Sequence, residues 1–154
     1  MQTIALDQID RPATVFPRAE VSASRVRQFK DLYSAAIEAG EPDPLPPVIT
    51  VCSGSRHILA DGWHRFEALQ QLRTENVSAD VREAPEGTEP IDYAYDLALA
   101  AAVESARPLT ASERKAAVAR LLASHPARSW RVASGMRWRS DQCPPCWWPP
   151  NWDQ

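Results

Sequence analysis

Residues 58–72 read ILADGWHRFEALQQL. Ile58-Leu59-Ala60 is a short apolar run, as a buried strand is. Phe66, Leu69 and Leu72 then recur at three-residue spacing, with Ala68 beside them, as along one face of a helix. Asp61-Gly62 and His64-Arg65 lie at the seam between the two periods. A turn with solvated charges accounts for them, and so does a seat for phosphate. A helix start carries unpaired N–H groups and a partial positive charge, so an anion is stabilised there. Gly62 has no Cβ to hold a ligand off the backbone. Arg65 adds a forked donor suited to phosphate oxygens, and His64 adds another, stronger when protonated. Asp61 has two readings: an N-cap on the same N–H groups, or a carboxylate that shares Mg²⁺ with substrate phosphates. Trp63 stacks on a base or wedges against a sheet.

Outward from this seam, PVITV (47–51) and HILA (57–60) flank Ser53-Gly54-Ser55 and read as a hairpin. Upstream, TIALDQI (3–9) alternates apolar and polar residues, which predicts one strand. Val26, Phe29, Leu32/Tyr33 and Ala36/Ile37 predict a helix from Ser22 to Gly40, and EPDPLPP (41–47) cannot prolong it. Downstream, VSADVRE (77–83) reads as a strand. Residues 90–105 read as an alanine-rich helix with Pro90 in its first turn. TASERKAAVARLLASH (110–125) opens with Thr110 and Glu113 at capping-box spacing. The order is strand, helix, hairpin, helix, strand, then helices only. It predicts an α+β fold, a small mixed sheet with packed helices, followed by a C-terminal helical segment.

The 154 residues suit one compact domain with a small appendage. Residues 1–109 hold 10 Lys/Arg against 17 Asp/Glu, a balance of −7; residues 110–139 hold 7 against 1, a balance of +6. A basic segment behind an acidic body suits contact with a polyanion, or a helix with solvated arginines. No run of about 18 apolar residues predicts a membrane span. The start MQTIALDQID lacks the pattern of a secretory signal. Three cysteines, Cys52, Cys143 and Cys146, suit a reducing cytosol, so a cytoplasmic protein is expected. Cys143-Pro-Pro-Cys146 has knuckle spacing but no second pair, so zinc is not expected. Residues 136–154, MRWRSDQCPPCWWPPNWDQ, carry four of the six tryptophans and no apolar period. They read as an irregular, Pro/Trp-rich tail or a frame-shifted end.

The blocks LPPVITV (45–51), ILADGWHRFEALQQL (58–72), VSADV (77–81) and PLTASERKAAVARLLASHP (108–126), in this order, resemble the ParB/sulfiredoxin-like superfamily. They are similar to bacterial and phage proteins with a ParB N-terminal domain followed by helices. The resemblance spans roughly residues 2–134. It implies that Gly62, His64 and Arg65, with Asp61 beside them, form a nucleotide phosphate corner taking CTP or ATP with Mg²⁺. Trp63 stands where sulfiredoxins carry the reactive cysteine, so sulfiredoxin activity is not expected. An Asn often found in relatives falls at Ala102, and a His-Gly pair at Ser105-Ala106, which removes a metal-assisting group that Glu104 replaces poorly. HPARSWRVASG (125–135) resembles the start of a helix-turn-helix without the recognition helix. Arg114, Lys115, Arg120, Arg128 and Arg131 are then the DNA-backbone contacts.

The sequence thus predicts a ParB-like N-terminal domain over 1–109, a partial helix-turn-helix-like segment over 110–135 and the tail over 136–154. The expected function is a DNA-associated partition or transcription-regulator protein gated by a nucleotide, with weak or non-specific DNA contact and a homodimer among its partners. A nuclease, a CTPase or a small-molecule kinase of the same superfamily is the enzymatic alternative, with at most weak nucleoside-triphosphatase activity. A truncated, non-functional remnant is the other.

Overall fold

A computed structural model describes residues 1–41, 44–105 and 107–124. The strands are β1 (Gln2–Ala5), β2 (Ile9–Asp10), β3 (Val48–Ser53), β4 (Arg56–Asp61) and β5 (Asn76–Arg82). The helices are α1 (Ala23–Ala39), α2 (Trp63–Gln71), α3 (Pro90–Glu104) and α4 (Ala111–Ser124). Met1–Val118 form one compact unit. In the second, Ala119–Gln154, the described residues are the last turns of α4. The short helical stretch expected over 129–135 and the tail 136–154 lie outside the described residues, as do Arg128, Arg131, Cys143 and Cys146.

The α+β expectation holds. Five strands form one mixed sheet in the order β1-β5-β3-β4-β2. The β1–β5 and β3–β4 pairs are antiparallel, and β5–β3 and β4–β2 are parallel. The single strand expected over 3–9 is instead two short strands, split by a 3₁₀ turn at Leu6–Gln8. The reason is burial. Ile4 and Ile9 are both in the core, yet an unbroken strand would point residues five apart to opposite faces. The turn brings both inside. It also sets the shape of the sheet. A flat five-stranded sheet has edges roughly 19 Å apart, whereas three residues of 3₁₀ helix advance only about 6 Å. Since β1 and β2 are the two edges, the sheet curls until those edges approach one another.

Leu59, Val48, Val51, Ala68 and Phe66 sit at the centre of the core, almost without solvent exposure. Burying one such leucine or phenylalanine contributes about 1.5–3 kcal/mol. On the sheet, α3 packs over β4 and β3, while α1 packs against α2. Gly40, with φ +73, ends α1 as a left-handed cap. At α4 the capping box forms as its spacing predicts. The Glu113 N–H donates to Thr110 Oγ1 at 3.3 Å, and the Thr110 N–H donates to Glu113 Oε2 at 2.8 Å. Glu113 Oε1 also accepts from the Ala19 N–H at 3.1 Å, so one buried carboxylate ties the loop before α1 to α4. These bonds hold the Glu113 carboxyl below the usual range. No helix among the described residues is long and apolar enough to cross a membrane.

Candidate phosphate-binding site

The seam at residues 60–65 is built by a break in strand register. Ile49 pairs with Asp61 but Thr50 pairs with Leu59, leaving Ala60 as an extra residue on β4. Such a bulge turns the strand end out of the sheet. The Ala60 carbonyl accepts from Trp63 Nε1 at 3.3 Å. Trp63 is buried against Phe16 of the loop before α1, ring centroids 4.7 Å apart.

Gly62 follows as the N-cap of α2 with φ +96, a backbone conformation only glycine adopts readily. A Cβ there would stand 2.6 Å from Val48 Cγ1 and 3.1 Å from Arg65 Nη2. The glycine is therefore required first by the close approach of β3. Its N-cap position also offers no side chain to the open N–H groups of the first turn. Asp61 does not cap them. Its Oδ2 accepts from Arg65 Nη2 at 3.0 Å, one helical turn on. Arg65 Nη1 donates to the Pro46 carbonyl. The guanidinium is thus braced at two points, with the side chain only 13% exposed and further N–H donors to spare.

His64, expected as a donor that is stronger when protonated, also serves as an acceptor. Its Nε2 accepts from the Ser22 N–H at 3.1 Å, which requires the neutral ring. The proton is then on Nδ1, leaving one N–H to give. Burial first, then Arg25, Arg18 and Arg107, push the imidazole pKa down, against a smaller pull from Asp61.

These residues surround a cleft of about 340 Å³. Asp61, Gly62, His64 and Arg65 line it together. Arg18 and Arg25 line it too, and sequence reasoning missed both. Arg18 Nη2 donates to Ser105 Oγ at 3.1 Å and to the Arg107 carbonyl at 2.8 Å, while its Nη1 is buried without a partner among the described residues. Arg25 had a signal: it is the third residue of α1, where the helix dipole disfavours a cation. Arg18, in a loop, had none. Phe16, Phe29, Leu45, Ala98, Ala101 and Ala102 give the cleft an apolar side. Ala102 and Ser105 line it at the positions where relatives were expected to carry Asn and His.

Away from the cleft, Arg114 and Lys115 are exposed on α4. Arg114 Nη1 donates to the Leu109 carbonyl at 3.0 Å. Arg120 is half-buried in the part of α4 beyond Val118.

No family model matches the chain, and no curated protein matches it. Solved structures do. The C-terminally truncated chromosome-partitioning protein ParB from Caulobacter crescentus, complexed to the centromeric parS site, is similar at TM-score 0.54 and 15% identity, covering 79% of this chain and 57% of that one. The same protein complexed with CTP-γ-S matches at TM-score 0.50 and 18% identity, covering 69% and 54%. A pNOB8-like ParB N-domain matches at TM-score 0.55 and 16% identity, covering 87% and 48%. The chain spans about half the length of these proteins. At such identities the likeness speaks for the fold alone, and the curled five-stranded sheet with its helices agrees: the chain has the ParB/sulfiredoxin-like fold.

Proposed function

We propose that this chain is a ParB-like, DNA-associated protein that binds a nucleotide in the cleft at the start of α2. One observation carries the reading: an uncapped helix N-terminus at Gly62, a braced Arg65, and Arg18 and Arg25 from elsewhere in the chain line one cleft. The phosphates sit at the first-turn amides of α2, where the dipole favours negative charge. Arg65 gives its remaining N–H groups without first having to be ordered, since Asp61 and Pro46 already hold it. Neutral His64 gives its Nδ1–H. The apolar side of the cleft receives the sugar and base, and the volume lies within the usual range of small-ligand sites. That a ParB of this fold is complexed with CTP-γ-S, and with parS, supports both halves of the proposal. For DNA, exposed Arg114 and Lys115 on α4 supply phosphate-directed charge.

The test is calorimetric titration of CTP and ATP into the full chain and into Arg65→Ala, each with and without Mg²⁺. Binding of either nucleotide in either buffer, weakened in Arg65→Ala, supports the reading. Absence of binding in every combination overturns it.

A further inference from the structure

The resemblance implies Mg²⁺ beside the nucleotide, and the residues of the cleft do not fit it. We infer that the cleft takes a nucleoside di- or triphosphate as the free polyanion, with arginines doing the neutralising work of the cation. This rests on the phosphate seat proposed above and goes beyond it.

Mg²⁺ takes hard oxygen ligands in near-octahedral geometry, usually with one or two protein carboxylates. Among the described residues lining the cleft the only acid is Asp61. Its Oδ2 is already bound to Arg65 Nη2 at 3.0 Å. Ser105 Oγ accepts from Arg18 at 3.1 Å, and His64 Nε2 accepts from the Ser22 N–H. Glu104 is exposed at the end of α3 and does not line the cleft. No group of three His, Cys, Asp or Glu suited to a metal ion exists among the described residues.

The charge of the site points the same way. Among the described residues of the lining, Arg18, Arg25 and Arg65 against Asp61 leave a net +2. None of the ion pairs among the described residues engages Arg18 or Arg25. Arg18 Nη1, buried and unpartnered among those residues, is a desolvated donor that an incoming oxyanion satisfies. A divalent cation brought to this lining meets repulsion from the guanidinium groups and removes charge from the ligand they attract.

The measurement is the affinity of the full chain for CTP in EDTA and in excess Mg²⁺, repeated on Arg25→Ala and Asp61→Asn. The expected Kd in EDTA is equal to or lower than that in Mg²⁺. Arg25→Ala weakens binding in EDTA by about tenfold, the scale of one charge-assisted hydrogen bond, and Mg²⁺ does not restore it. Asp61→Asn, which keeps an acceptor for Arg65 but removes the carboxylate, changes the Kd in EDTA and in Mg²⁺ by the same factor. Circular dichroism confirms that the variants fold. Binding that tightens more than about tenfold on adding Mg²⁺, or that Asp61→Asn abolishes in Mg²⁺ alone, overturns this inference and leaves the phosphate seat standing. Absence of binding in both buffers overturns the seat and this inference with it.

Discussion

The cleft at the start of α2 and the exposed basic pair Arg114-Lys115 on α4 are both cationic, and they come from opposite halves of the charge pattern. The cleft is assembled inside residues 1–109, where acids exceed bases by seven. Its arginines come from three separate places, the loop before α1, α1 itself and α2. They converge only in the folded chain, where these three elements line one cleft. The basic residues of α4 lie close together in sequence, and Arg114 and Lys115 stand in solvent. Net charge along a segment therefore says little about where a field is concentrated. A half-buried guanidinium facing a cleft is worth more to an anion than several exposed ones, because water and salt screen the latter.

The comparison breaks most severely at Gly62. Gly62→Val places a branched side chain at φ +96 and drives it into Val48, so we expect a loss of about 3 kcal/mol in urea unfolding, or failure to fold. A variant as stable as wild type would show that the turn relaxes and the close approach is not required. Arg65→Ala is next, with nucleotide affinity lower by about 2 kcal/mol, roughly thirtyfold. The paired control, Arg114→Ala with Lys115→Ala, leaves nucleotide affinity unchanged; a similar loss in the control would erase the distinction between the two regions.

A smaller effect sharpens the cleft side. The fold holds His64 neutral, while the unfolded chain protonates it near the ordinary value of about 6.5. As pH falls through that value the unfolded state takes up the proton first, so stability declines until the folded imidazole is itself protonated. His64→Gln flattens this decline between about pH 7 and pH 5; an unchanged slope would assign it to other groups. The smallest effect belongs to α4. Arg114→Ala reduces the salt dependence of DNA binding by about one counterion while leaving nucleotide binding intact. DNA binding with no dependence on salt at all would remove α4 from the account.

How much of this was legible follows from what each feature depends on. The hairpin, α1, α2 and the α4 capping box rest on local periods and local caps, and the chain displays them openly. The strand-to-helix junction at 61–63 was legible for the same reason, a strand period meeting a helix period at a glycine. The break at Leu6–Gln8 was not, because it answers to which edge of the sheet each half joins, a tertiary fact. Arg18 is silent in sequence, since its place in the cleft depends on the connection after α3, some ninety residues away. The neutral state of His64 was not legible either. Nothing local announces that Ser22 offers it an N–H, or that burial first and neighbouring arginines second push its pKa down.

The most direct test of the central claim is to follow the backbone amide resonances of the full chain while CTP is added. With phosphates seated at the start of α2, the largest shifts fall on the amides of Gly62, Trp63 and His64, with Arg65 and Arg25 side-chain N–H signals moving at the same half-saturation. Shifts confined to α4, or none at saturating nucleotide, would contradict it.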